Sequence, residues 1–136
     1  MRAVALGCAL AVSVACLLVG SARLDASPKA HRYGSVIKVK PEALAEYKKL
    51  HAAVWPAVLR QIRRSHIRNY SIYYKDGYLF SYFEYTGSNF AKDMAKMAAD
   101  PTTQKWWKVT EPMQEPLDTR KKGEWWASME EVFHMD

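Results

Sequence analysis

Apolar positions along this chain follow two different periods. Leu44, Tyr47, His51, Val54 and Val58 fall on one stripe of a helix, the i, i+3/i+4, i+7 face that turns toward a core. On either side the period shortens. Tyr33-Gly34-Ser35-Val36-Ile37-Lys38-Val39 has the β-branched content and partial alternation of a strand, and residues 69–74 and 78–85 read as two aromatic strands. Asp76-Gly77 lies between those two, a strong hairpin signal because a type I′ turn needs φ > 0.

Pro41 with Glu42 suits the first turn of a helix. The stripe carries that helix on to about Ser65, and Pro56 should kink or interrupt it, since it lacks an N–H and crowds the preceding turn. Phe90, Met94, Met97 and Ala98 mark a second helix closed by Asp100-Pro101, and residues 102–110 a further short one bearing Trp106-Trp107. Residues 111–123 read as loop and residues 129–135 as a final strand. The order β-α-β-β-α-β is that of the ferredoxin-like split βαβ unit, an α+β antiparallel sheet with helices on one face. The open face would be rich in aromatics, so it must pair with another subunit or hold a ligand.

The N-terminus has a different composition. Met1-Arg2 supplies a short positive region, residues 3–20 are an uncharged run rich in Ala, Val and Leu, and Gly20-Ser21-Ala22 and Leu24-Asp25-Ala26 offer small-residue cleavage sites. This pattern predicts a signal peptide over residues 1–26, cut near Ala22 or Ala26, with residues 27–136 as the secreted or periplasmic domain. At about 18 residues the apolar run is also just long enough to span a bilayer as an uncleaved anchor. Cys8 and Cys16 both lie inside it, so the remaining domain has neither a disulfide nor a cysteine metal site.

The rest of the composition is that of one globular domain, with 49% hydrophobic and 12% aromatic residues. The net charge of +6 is spread over separate groups (Lys48-Lys49, Arg63-Arg64, Arg120-Lys121-Lys122), as on a solvated surface. No nucleic-acid-binding motif accompanies it.

Candidate chemistry begins with Tyr47 and His51, a phenol and an imidazole that neighbour each other on the helix where two aliphatics would be ordinary. Buried polar groups need partners or a function, so this pair points to a lined cavity. An imidazole titrates near neutrality and suits general acid–base work; the plain alternative is a core histidine bonded to a backbone carbonyl. Trp106 and Trp107 point about 100° apart on a helix. Either both fill the core, or one indole lines a cavity, where its flat face suits the C–H side of a sugar ring. Tyr70, after Asn69, offers a further hydroxyl or a cross-strand aromatic pair. His31, His66 and His134 stand at a linker, a helix end and the last strand. They show no metal-ligand spacing, and no HExxH, phosphate loop or nucleophile elbow occurs.

Taken in order, Tyr-x-x-x-His, x-x-x-Trp-Pro, Asn-Tyr-x-Ile-Tyr, Trp-Trp-Lys and a terminal Glu-Val-Phe resemble the L-rhamnose mutarotase family, over roughly Tyr33 to Met135. The resemblance implies a ferredoxin-like dimeric α/β barrel, a homodimer in which the sheets of two subunits pack together. It implies cofactor-free, metal-free interconversion of the α and β anomers of L-rhamnose or a related sugar. Carried over by position, His51 is the proton donor, and Tyr47, Tyr70, Trp106 and Trp107 are sugar contacts. One departure stands out: the family carries Asn-Pro just after the histidine, where this chain has Ala52-Ala53. The alternatives are a haem-binding or monooxygenase-type protein of the same barrel, using His51 as ligand or base, and a non-catalytic sugar-binding envelope protein.

Overall fold

The structure, a computed structural model, describes residues 30–135. The expected signal peptide lies outside them. Among the described residues no helix is long and apolar enough to cross a membrane.

The first strand, β1 (His31–Val39), is the centre of the sheet. After a 3-10 turn at Pro41–Ala43 the chain forms α1 (Leu44–Ala52) and α2 (Pro56–Arg64). Pro56 does not kink a continuous helix. It begins a new one at its first position, where the missing N–H has no acceptor to lose, and Ala53-Val54-Trp55 form the break. Strands β2 (Ile67–Lys75) and β3 (Tyr78–Tyr85) follow, joined by Asp76 at φ 49° and Gly77 at φ 85°, the two left-handed residues a type I′ turn requires. Then come α3 (Phe90–Ala99) and α4 (Pro101–Thr110). Asn89 caps α3 by accepting from the Lys92 amide at 3.0 Å, and Asp100 caps α4 by accepting from the Thr103 amide at 2.8 Å.

The sheet is antiparallel, in the order β2-β3-β1, and the expected ferredoxin-like α+β architecture is borne out. Its outer edge differs from expectation. Two short strands share the free side of β1: β4 (Gln114–Glu115) opposite Val39 and Lys38, and β5 (Ala127–Met129) opposite Val36 to Gly34. The stretch read as loop therefore contributes a strand, and the last strand lies earlier than residues 129–135. Register explains why. With Met129 opposite Gly34, the chain runs off the beginning of β1 within three residues, and Arg32 pairs with Glu131 at 2.6 Å. Beyond it Val132, Phe133 and Met135 have no strand to join and are 89%, 81% and 78% exposed.

Cross-strand register sorts the aromatics between the two faces. Tyr33, Ile37, Val39, Leu79, Phe83 and Tyr85 turn toward the helices, while Tyr73, Tyr78, Phe80 and Tyr82 turn away. The open face thus holds only part of the aromatic set expected there. The core is built from Ile37, Val39, Leu79 and Tyr47, with Leu44, Ile72, Met113 and Trp126 packed against it.

One buried carboxylate ties the helical layer to the far end of the sheet. Asp93 of α3 accepts from the Tyr85 hydroxyl at 2.7 Å and faces His66 Nδ1 at 2.9 Å. Those bonds, with Lys96 nearby, hold its carboxyl below the usual carboxylate range despite the opposing effect of burial. The Asn89 amide closes the knot by donating to the Tyr85 oxygen at 2.9 Å. His66 is thus a structural partner in a left-handed turn (φ 59°), not an isolated helix-end histidine.

Candidate active site

Between α1, α4 and the helix side of the sheet lies a cavity of about 320 Å³. That is the small end of the range for ligand pockets, suited to a small molecule. All five residues singled out in the sequence, Tyr47, His51, Tyr70, Trp106 and Trp107, line it.

Helix α1 delivers the first two. One turn apart, the Tyr47 and His51 rings stack at 4.0 Å and 24°, and Trp106 of α4 closes edge-on against the imidazole at 5.3 Å. His51 Nδ1 lies 2.9 Å from the Tyr47 carbonyl oxygen. A carbonyl only accepts, so Nδ1 must carry the hydrogen, and in the neutral ring Nε2 keeps its lone pair. Burial lowers the pKa of His51, with the carbonyl bond opposing that shift in part. The plain alternative for this residue, a histidine bonded to a backbone carbonyl, therefore describes one of its nitrogens. The other is left for a ligand.

Tyr47 is buried, and its phenol is pushed well above the ordinary tyrosine value by loss of solvent, against a smaller lowering effect from Gln114. It remains a neutral hydroxyl at any physiological pH. Tyr70 is likewise pushed up to about 12 by burial. The residue as a whole is 44% exposed.

Counted from Ile67, which faces the helices opposite Tyr85, strict alternation would turn Tyr70 to the other face. Arg68 pairs with Glu84 and Ser71 with Tyr82, so Asn69 and Tyr70 together oppose Phe83, a two-for-one β-bulge. Asn69 takes the left-handed conformation this needs (φ 48°), and its amide donates to Glu84 at 2.7 Å. The extra residue returns Tyr70 to the helix side, edge-on to Phe83 at 5.6 Å. The cross-strand aromatic pair and the cavity hydroxyl are therefore the same residue.

Among the wall residues that escaped the sequence reading, three come from the outer edge of the sheet. Gln114, Trp125 and Trp126 come from β4 and the segment before β5. The Trp125-Trp126 doublet was as visible as Trp106-Trp107, but it sits in an aperiodic stretch where nothing places it on a wall. Gln114 gives no sequence signal at all. Among the described residues no group of three or more His, Cys, Asp or Glu is placed to hold a metal ion.

A ferredoxin-like α+β domain whose helices and sheet enclose hydroxyls, an imidazole and several indoles is a small-molecule protein, with the wall chemistry of a sugar site. Solved structures of this shape include the L-rhamnose mutarotase of Formosa agariphila (TM-score 0.59, 21% identical, covering 78% of this chain and 99% of that one). Another is the tetracenomycin F2 cyclase of Streptomyces glaucescens, a type-II polyketide cyclase (TM-score 0.61, 10% identical, 79% and 98% covered). At such identities the likeness establishes the fold alone. The sequence says more. Residues 32–135 match the family model for L-rhamnose mutarotase. The L-rhamnose mutarotase of Oceanobacillus iheyensis is 31% identical over 113 residues, covering 77% of this chain and 98% of that protein. The one of Phocaeicola vulgatus is 34% identical over 100 residues, covering 72% and 91%. The chain belongs to the L-rhamnose mutarotase family.

The bulge makes a prediction. Asn69→Gly keeps the left-handed residue and should leave sugar binding nearly unchanged. Asn69→Val places a β-branched residue there at a cost of about 1–3 kcal/mol, and should both lower stability in urea titrations and weaken sugar binding by calorimetry. Equal binding by the two variants would refute the re-aiming role of the bulge.

Proposed function

We propose that this protein interconverts the α and β anomers of L-rhamnose in the cavity between α1, α4 and the sheet, with His51 moving the proton. Family membership makes it a carbohydrate isomerase. The observation that carries the assignment is the His51 Nδ1–H bond to the Tyr47 carbonyl, which leaves Nε2 as an acceptor in the cavity wall.

Neutral His51 takes the proton of the anomeric hydroxyl through Nε2. The ring oxygen is bonded to the same carbon, so the imidazolium can return that proton to it with little movement. The bond between C1 and the ring oxygen breaks, and the open-chain aldehyde forms. Rotation about C1–C2 presents the other carbonyl face, and the reverse steps close the ring. The proton donor implied by the family resemblance is thus the second half of a cycle that begins with His51 as base. No carbon–hydrogen bond breaks. In this reading the Tyr47 and Tyr70 hydroxyls donate to the oxygens on which charge develops, and the Trp106 and Trp107 indoles meet the C–H side of the sugar. Ile62, Met94 and Met97 supply an apolar wall that fits the methyl group of a 6-deoxy sugar. Family membership favours mutarotation over the haem and monooxygenase readings and over a purely binding role.

The working unit is a homodimer. Tyr73, 64% exposed on the open face, and the unpaired tail of Val132, Phe133 and Met135 are apolar surface of the kind a second copy covers. The protein is also exported, on the strength of the charged, apolar and small-residue order of residues 1–26.

His51→Ala should slow anomer exchange by about 10²–10⁴-fold, read by NMR saturation transfer on L-rhamnose, with fold and dimer intact. His31→Ala, on an exposed strand end, is the control; His66 is unsuitable because it holds Asp93. An unchanged rate in His51→Ala would refute the assignment. Because the neutral imidazole acts and its pKa is lowered, activity should be level through neutrality and fall only as pH drops below the ordinary histidine value of about 6.5. Light scattering should give twice the subunit mass at micromolar concentration, and a monomer would rule out the dimer. Intact mass of the protein recovered from the cell envelope should lack residues 1–22 or 1–26. A full-length chain in the soluble cytoplasm would contradict export.

A further inference from the structure

Gln114 lies outside every motif in the sequence, yet it is the residue that meets the Tyr47 hydroxyl. Its side chain is 7% exposed, on the helix side of the sheet, fixed by the pairing of its backbone with Val39. At one end its Oε1 accepts from the Trp125 indole N–H at 2.7 Å. An indole nitrogen only donates, so the orientation of the amide is not open to choice. The Nε2 end must face Tyr47, 3.4 Å from the phenol oxygen. An amide nitrogen only donates in turn, so the phenol oxygen accepts there and its own hydrogen must point elsewhere. Tyr47 is part of the cavity wall, and the cavity is where that hydrogen can go.

We infer that Gln114 is a positioning residue that sets the polarity of the Tyr47 hydroxyl, making it a donor to the sugar, and that Trp125 locks Gln114 in the orientation this requires. The inference rests on reading Tyr47 as a substrate contact. The chain of donors runs Trp125 to Gln114 to Tyr47 to a sugar oxygen. Each link is one-directional, so the site selects an acceptor oxygen at that point, and the phenol is aligned before charge develops on it. The segment that carries Trp125 is itself tied down, because Glu124 accepts from the backbone amides of Lys121 at 3.0 Å and Ser128 at 3.3 Å.

The test is Gln114→Glu, nearly the same shape with the opposite polarity. Its carboxylate still accepts from Trp125 but now also accepts from Tyr47, drawing the phenol hydrogen out of the cavity. Anomer exchange of L-rhamnose should fall about tenfold at pH 8, the worth of one hydrogen bond. The ratio of variant to unaltered protein should rise as pH falls and the new carboxyl becomes protonated and able to donate. In a Tyr47→Phe background the same substitution should change neither rate nor pH profile. A ratio that stays flat across pH while Tyr47→Phe is itself impaired overturns the positioning role alone. An unimpaired Tyr47→Phe overturns that role together with the reading of Tyr47 as a sugar contact. Circular dichroism monitors folding. Should Gln114→Glu fail to fold, Trp125→Phe serves instead: it frees the amide to turn, and its loss of rate should be several-fold smaller in the Tyr47→Phe background, what is left being its own part in the cavity wall. Full additivity of those two substitutions would equally overturn the proposal.

Discussion

The ring of Tyr47 packs with Ile37, Val39 and Leu79 in the core of the sheet, and the imidazole of His51 rests on it at 4.0 Å. The backbone carbonyl of the same residue holds His51 Nδ1, and its hydroxyl meets Gln114. Core packing and site geometry therefore share one side chain. Interiors packed to crystal-like density leave a large ring little room to move, so His51 inherits its position from the core and not from a loop. The phenol's polar end is buried at a cost that its amide partner offsets. A shift of α1 on the sheet would move imidazole, carbonyl and hydroxyl together.

This sharing is also why the centre of the site was legible in the sequence. A tyrosine and a histidine on an otherwise apolar stripe broke a helical pattern, and Asp76-Gly77 and Pro56 marked a turn and a helix start from local rules alone. What stayed hidden depends on partners distant in the chain. Asp93 reads as an ordinary charge on α3, and only the fold brings Tyr85, eight residues away, and His66, 27 away, to its carboxylate. The bulge at Asn69 is invisible to a period-two reading because it is a break in that period. The split edge was missed because two- and three-residue strands carry no pattern of their own.

The cavity accordingly has two parts of different origin. His51, Tyr47 and Trp106 come from helices anchored on the core, whereas Gln114, Trp125 and Trp126 come from the outermost edge of the sheet and the segment between its two short strands. That segment is pinned at both ends by pairing with β1 but has no regular structure of its own between residues 116 and 126. Changes of length or sequence there can reshape the cavity wall without disturbing the helix that carries His51.

The split edge also bears on how the chain comes to be folded. The central strand β1 is the first element of the described chain, and its free side is completed only by Gln114–Glu115 and Ala127–Met129, the last two strands. During synthesis the hairpin of β2 and β3 can form early, but the outer side of β1 has no partner until β4 and β5 have emerged. Contacts joining the two ends of a chain carry the largest loop-closure cost and slow the final step. Until then the nascent domain presents a bare central strand, a template for pairing with the wrong chain, so β4 and β5, made after the other elements of this domain, are the ones that end its exposure to misassembly.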